Sequence, residues 1–230
     1  MNVLIIGGSS DIGIELSKLF ILKGYNVVST YNSHEFKLDG VDTIKCDIRN
    51  EWEIESTIKY CIDKYEKVDI LINMASISMD NYFLDKSKEE FMRVLEVNLV
   101  GTFLCNKIYS KYIDDGIIVN IGSTDGIDTY NEYDMDYAAS KAGIINITKS
   151  ISRCTNNKVL CICPNWIDSN TTKDMDNDYL ISELKRIGQG RLISIDEVCG
   201  SIFNIINMDN KSGTIYRIDI REDKLWIEEM

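Results

Sequence analysis

From Val3 to Ile218, short apolar runs alternate with longer stretches of helical periodicity, and few folds accept that rhythm. The runs are Val3–Ile6, Asn26–Thr30, Thr43–Cys46, Val68–Ile72, Ile117–Ile121, Val159–Cys163 and Thr214–Ile218. Between them the spacing predicts helices over Ile12–Leu22, Glu51–Tyr65, Lys88–Tyr112, Asp136–Cys154 and Ile195–Ile206. Short strands separated by helices of about ten residues or more are repeated βαβ units. Their crossovers are right-handed and cover both faces of a parallel sheet. The expected fold class is therefore α/β, a doubly wound parallel sheet in three α/β/α layers, forming a single domain over residues 1–230.

No Gly-, Pro- or Ser-rich linker divides the chain, and it contains no internal repeat. An apolar fraction of 44% is enough for one sizeable core. The single proline, Pro164, follows a strand, and the polar stretch from Asp168 to Asp178 reads as a solvated loop or as a lid over a site. Charge sets further limits: 25 basic against 37 acidic residues leave a net charge of -12. Such a surface repels phosphate backbones and anionic lipid, so neither nucleic acid nor membrane is expected as a partner. No apolar run reaches the roughly 18 residues of a spanning helix and no signal peptide is evident, so a cytoplasmic location is expected. Seven cysteines without a C-x-x-C pair read as reduced thiols, with Cys161 and Cys163 packed in a strand. A single histidine, His34, cannot build a multi-His zinc site, and no metal is expected.

Directly after the first strand comes Gly7-Gly8-Ser9-Ser10-Asp11-Ile12-Gly13, then a helix. Glycine belongs where a tight strand-to-helix turn needs positive φ or where backbone closely approaches a pyrophosphate. The helix N-terminus offers N–H groups and a positive dipole end to such an anion. Gly7, Ser9, Ser10, Asp11, Ile12 and Gly13 are thus candidate dinucleotide contacts, as expected of a Rossmann fold. After the second strand, Tyr31 stands where an acid usually grips a ribose 2′-hydroxyl, and Asn32, Ser33 and His34 could donate to a 2′-phosphate. NADP is the expected cofactor, with NAD as the alternative. Asp47, followed by Ile48 after the third strand, could accept from an adenine amino group.

Tyr137 and Lys141 are four residues apart on a predicted helix and so share one face. A free phenol has a pKa of about 10, too high for acid–base work near neutrality, and a neighbouring ammonium favours its phenolate. Ser123, at the carboxyl end of the preceding strand, could hydrogen-bond a carbonyl oxygen while Tyr137 exchanges its proton. It lacks a nucleophile elbow, so a hydrolase is not indicated. Its other reading is a turn residue capping the next segment.

Together these motifs resemble the short-chain dehydrogenase/reductase family across nearly the whole chain, including its 3-oxoacyl-acyl-carrier-protein reductases. Of the family's three turn glycines, Gly7 and Gly13 are present and Asp11 replaces the middle one. The N-N-A-G segment corresponds to Asn73-Met74-Ala75-Ser76, the catalytic asparagine to Asn98, and P-G-x-x-x-T to Pro164-Asn165-Trp166-Ile167-Asp168-Ser169. The resemblance implies an NAD(P)-dependent oxidoreductase acting on a CH–OH group, with catalytic Asn98, Ser123, Tyr137 and Lys141. Asn73, Ala75, Tyr137, Lys141, Pro164, Ile167 and Ser169 are the implied cofactor contacts. Tyr137 would trade the proton, Lys141 would lower its pKa and bond the nicotinamide ribose, Ser123 would position substrate oxygen, and Asn98 would hold a relay water. Asn98 also has a structural reading, satisfying backbone in a kinked helix. Asn165 suits a positive φ in place of glycine.

Tyr130, Tyr133, Met135 and Trp166 are candidate walls for a small carbonyl or alcohol substrate, or else pack against the sheet edge. An acyl carrier protein is acidic and would need a local basic patch such as Lys111, Arg153 and Lys158. The resemblance implies a homo-oligomer, a dimer or tetramer, through helices around residues 88–112 and 136–154. The missing glycine pair after Asp219 puts the usual C-terminal subunit contact in question. The alternatives are a non-catalytic dinucleotide-binding sensor or scaffold, and an extended epimerase or dehydratase, for which 230 residues leave no second domain.

Overall fold

The computed structural model describes residues 1–230. In β1 (Asn2–Ile6) successive side chains part between two cores: Val3 and Ile5 join one apolar cluster, Leu4 and Ile6 another. A strand buried on both faces needs helices above and below it. Along the chain follow α1 (Asp11–Leu22), β2 (Asn26–Tyr31), β3 (Val41–Lys45), α2 (Glu51–Tyr65), β4 (Ile70–Asn73), α3 (Lys88–Leu95) and α4 (Thr102–Tyr112). Then come β5 (Ile117–Ile121), α5 (Met135–Ile151), β6 (Lys158–Pro164), α6 (Asn170–Lys173), α7 (Asn177–Ile187), α8 (Ile195–Asn207), β7 (Ile215–Arg221) and β8 (Lys224–Glu229). Leu16 and Phe20 of α1 and Val198, Ile202 and Ile205 of α8 fill the first core. Ile54 and Ile58 of α2 and Leu104, Ile108 and Tyr109 of α4 fill the second.

The sheet order is β3-β2-β1-β4-β5-β6-β7-β8, the expected doubly wound arrangement. Seven strands are parallel, but β8 is antiparallel to β7, a departure from the all-parallel expectation. The chain reverses at Glu222 and Asp223, whose φ values are 50° and 59°. Such turns usually announce themselves with Asn-Gly, so nothing in Arg221-Glu222-Asp223-Lys224 signalled the hairpin.

Two other segments differ from expectation. The predicted helix Lys88–Tyr112 contains a π-helical stretch, Glu96–Gly101, which includes Asn98. The polar stretch expected to be a loop forms α6 and the start of α7; its acids support a helix start. Asp176 caps α7 by accepting from the Tyr179 N–H at 2.9 Å, and Asp178 lies in the first turn, where a carboxylate suits the dipole. Asn165 does not take positive φ. Its amide instead donates to Asp219 at 3.0 Å and its carbonyl accepts from Thr124 at 3.0 Å, tying β6 to β7 and to the turn after β5.

All seven cysteines are free and only Cys154 is exposed. Cys161 and Cys163 lie in the core with their sulfurs 3.6 Å apart. No helix is long and apolar enough to cross a membrane.

Candidate active site

Crossovers leave β1 and β4 in opposite directions, so a crevice opens beyond their carboxyl ends. There a cleft of about 610 Å³ is walled by the residues after β1, β2, β3, β4, β5 and β6.

One end is built around the glycine turn. Gly7 has φ of 81°, and a Cβ there would stand 2.5 Å from Ala75 Cα, so only glycine fits. A Cβ on Gly13 would stand 2.5 Å from Gly8 Cα, which lets α1 begin hard against the turn. Ser10 caps α1 by accepting from the Gly13 N–H at 3.1 Å. Asp11, in the first turn, accepts from the Asn170 N–H at 2.6 Å and so joins the turn to α6. A glycine turn at a helix N-terminus, open to a cleft that runs on to the ends of β2 and β3, fits a pyrophosphate and its adenosine.

Gly7, Ser9, Ser10, Asp11, Ile12, Tyr31, Asn32, Ser33, Asp47, Ile48, Ala75, Pro164, Ile167 and Ser169 all line the cleft, together with His34. Gly13 and Asn73 do not line it. Asn73 donates to Asn120 at 2.9 Å, and its own carbonyl oxygen is buried without a donor. Arg49, which the sequence reading passed over, also lines the cleft and grips Asp47 through Nε at 2.9 Å, holding that carboxyl below the usual carboxylate range. A lone D-x-R carries no recognisable signal.

The other end holds Ser123, Tyr137 and Lys141. The helical spacing of α5 stacks Lys141 beneath Tyr137, with Nζ 5.2 Å from the ring centre. Lys141 is 2% exposed and donates to the carbonyl of Ile121 at 2.9 Å. Burial pushes its pKa down to about 8. Tyr137 is pushed above the ordinary phenol value, first by burial and then by the charges of Asp125 and Asp134, while Ser123 opposes the shift by hydrogen bonding. In this state burial and the two carboxylates set the direction of the phenol's shift.

Ser123 does cap the following turn, accepting from the Asp125 N–H at 3.1 Å, and it also donates to the Asp125 carboxylate at 3.0 Å. Ser123 also lines the cleft. Asn98 is fully buried behind the cleft wall. It donates to the Ile77 carbonyl at 2.9 Å and to Ser140 at 3.1 Å, and accepts from the Ile77 N–H at 2.8 Å. With those bonds its side chain pins the segment after β4 against the π-helical stretch.

Of the four candidate wall residues only Trp166 lines the cleft. Tyr130 is 72% exposed, while Tyr133 stacks at the rim between Tyr82 and Tyr179. The wall instead includes Ile77, Met175, Asp80, Asp125 and Asp134, from segments whose course no periodicity revealed. Lys111, Arg153 and Lys158 lie near the ends of α4 and α5 and the start of β6, at the opposite end of the sheet from the cleft.

The model of the short chain dehydrogenase family matches residues 1–180. The 3-oxoacyl-[acyl-carrier-protein] reductase of Vibrio cholerae is 28% identical over 212 residues, 86% of each chain. Carbonyl reductase family member 4 of Xenopus laevis is 32% identical over 227 residues, 94% of each chain. A short chain dehydrogenase of Leptospira borgpetersenii, solved with bound NAD+, superposes with a TM-score of 0.80 at 30% identity, covering 95% of this chain and 91% of that one.

Proposed function

The chain belongs to the short-chain dehydrogenase family, and from that premise we propose that it transfers hydride between NADP(H), or NAD(H), and the carbonyl or alcohol carbon of a small molecule, with Tyr137 exchanging the proton. One observation carries this above the others: a tyrosine, a buried lysine one helical turn on and a strand-end serine share the wall of a cleft whose far end is a glycine turn. A nicotinamide bound between them would supply or take the hydride.

The chain's own residues do the rest. Ser123 presents its oxygen to the substrate oxygen, and Tyr137 delivers its phenolic proton to that oxygen in reduction or removes it in oxidation. Lys141, held by Ile121, keeps a positive charge under the ring and can donate to ribose hydroxyls. Asn98 acts by positioning, because it holds Ile77 on the cleft wall. The absence of an acid at Tyr31 and the presence of Ser33, His34 and Arg49 favour a 2′-phosphate.

Met92, Val100 and Phe103, exposed on the 88–112 helix, favour association with further copies of the chain. An acyl carrier protein fits poorly: the chain is strongly acidic, and the candidate basic patch is remote from the cleft. The test is oxidation of NADPH and NADH, followed by absorbance, across a panel of ketones with wild type and Tyr137→Phe. Turnover in the wild type and loss in the variant is the expected result. Tight cofactor binding with no turnover by the wild type would instead favour the sensor or scaffold.

A further inference from the structure

We propose that Asp125, backed by Asp134, is the specificity determinant of the substrate end and selects a carbonyl or alcohol bearing a positively charged nitrogen beside the reacting carbon. The inference rests on Tyr137 and Ser123 being the proton-transfer centre. Asp125 is bonded directly to Ser123 through the serine hydroxyl at 3.0 Å, so its carboxylate stands next to the substrate oxygen. Asp80 and Asp134 line the same cleft, and Asp134 Oδ1 is buried with no donor at all.

Buried acceptors in folded proteins are normally satisfied, and an unmet one calls for a donor from elsewhere. The cations whose fields reach these two carboxylates are Lys141, Arg186 and Lys86, and each is bonded to another group. Lys141 donates to Ile121, Arg186 is held by both oxygens of Glu183, and Lys86 is paired with Asp136 at 2.7 Å. Arg93, the remaining cation near this end of the wall, is exposed and unpaired on α3. Burial holds both carboxyls above the usual range, and Asp80 beside Asp134 raises that one further. An ammonium on the substrate would meet both and cancel the negative charge that opposes ionisation of Tyr137. In reduction, hydride from the nicotinamide joins the carbonyl carbon and the Tyr137 proton joins its oxygen. The ammonium is left unchanged and a solvent proton restores the tyrosine.

The experiment uses four ketones that differ only in the group beside the carbonyl: phenacylamine, phenacyl alcohol, propiophenone and benzoylacetate. With the full-length protein and its reduced cofactor, phenacylamine is expected to exceed propiophenone in kcat/KM by about tenfold or more, with benzoylacetate poorest. In Asp125→Asn and Asp134→Asn the phenacylamine-to-propiophenone ratio falls toward one, and a cofactor-induced rise in Tm confirms that each variant is folded. Equal use of phenacylamine and propiophenone, or a preference for phenacyl alcohol or benzoylacetate, overturns the inference and leaves the oxidoreductase reading standing. Turnover of no ketone by a wild type that binds cofactor overturns that reading, and the inference with it.

Discussion

Lys141 donates from Nζ to the carbonyl of Ile121, the last residue of β5, at 2.9 Å, while its ammonium lies beneath the ring of Tyr137. The cost of burying that ammonium has a pH signature. A lysine whose pKa falls on folding to about 8 is deprotonated in the folded chain while the unfolded chain still holds the proton. The penalty is complete below that pH and is relieved as pH rises toward the ordinary lysine value. Relative to Lys141→Met, wild-type stability should therefore improve by up to about 1.4 kcal/mol per pH unit between roughly 8 and 10. Denaturant melts of both proteins across that range check it; a constant difference would mean that Lys141 titrates normally.

Gly7→Ala should cost roughly 2 to 4 kcal/mol, because the new Cβ meets Ala75 backbone at 2.5 Å and φ is positive. Cofactor affinity should fall with it, since relief of the clash must move the turn or the segment after β4. Chemical denaturation and cofactor titration read the two effects separately.

Tyr31→Asp should move the NADPH-to-NADH ratio of kcat/KM toward NADH by about tenfold or more. A carboxylate at this wall position repels a 2′-phosphate and accepts from a 2′-hydroxyl. An unchanged ratio would remove the end of β2 from cofactor selection.

Lys86 and Asp136 form an ion pair with side chains 3% and 0% exposed. Lys86→Met alone should destabilise the protein by about 3 to 5 kcal/mol, because it strands a buried carboxylate. The double variant Lys86→Met with Asp136→Leu should regain most of that loss. Thermal melts of the two single variants and the double variant give the coupling directly.

Replacing Glu222-Asp223 with Asn-Gly should raise stability by about 0.5 to 1 kcal/mol, since both residues now hold positive φ without a side chain suited to it. A lower Tm would show that their side chains compensate for the strain.

Much of this molecule could be read from residue order. Val3-Leu4-Ile5-Ile6, followed by glycine, placed the central strand and its turn, and the four-residue spacing of Tyr137 and Lys141 placed both on one helical face. What escaped was set by tertiary contacts or by backbone geometry without a side-chain signature. The π-helical stretch around Asn98 has the same periodic pattern as an ordinary helix. Asp125 and Asp134 share the cleft wall through the segment between β5 and α5, and irregular chain carries no period from which to infer its course. Trp166 was recognisable because it lies two residues beyond a strand end, whereas Tyr130 and Tyr133 were equally aromatic and lie outside the pocket.

The antiparallel strand β8 has a consequence for how the molecule behaves in a crowded solution. By pairing along β7 from Tyr216 to Arg221, it occupies the N–H and C=O groups that would otherwise stand open to any extended peptide. The rim it presents instead is charged at Lys224, Glu228 and Glu229, a poor template for runaway strand addition. Removing those last residues would uncover the apolar strand of Ile215, Ile218 and Ile220, so a shortened chain should be prone to fibrillar self-assembly even with its cleft intact.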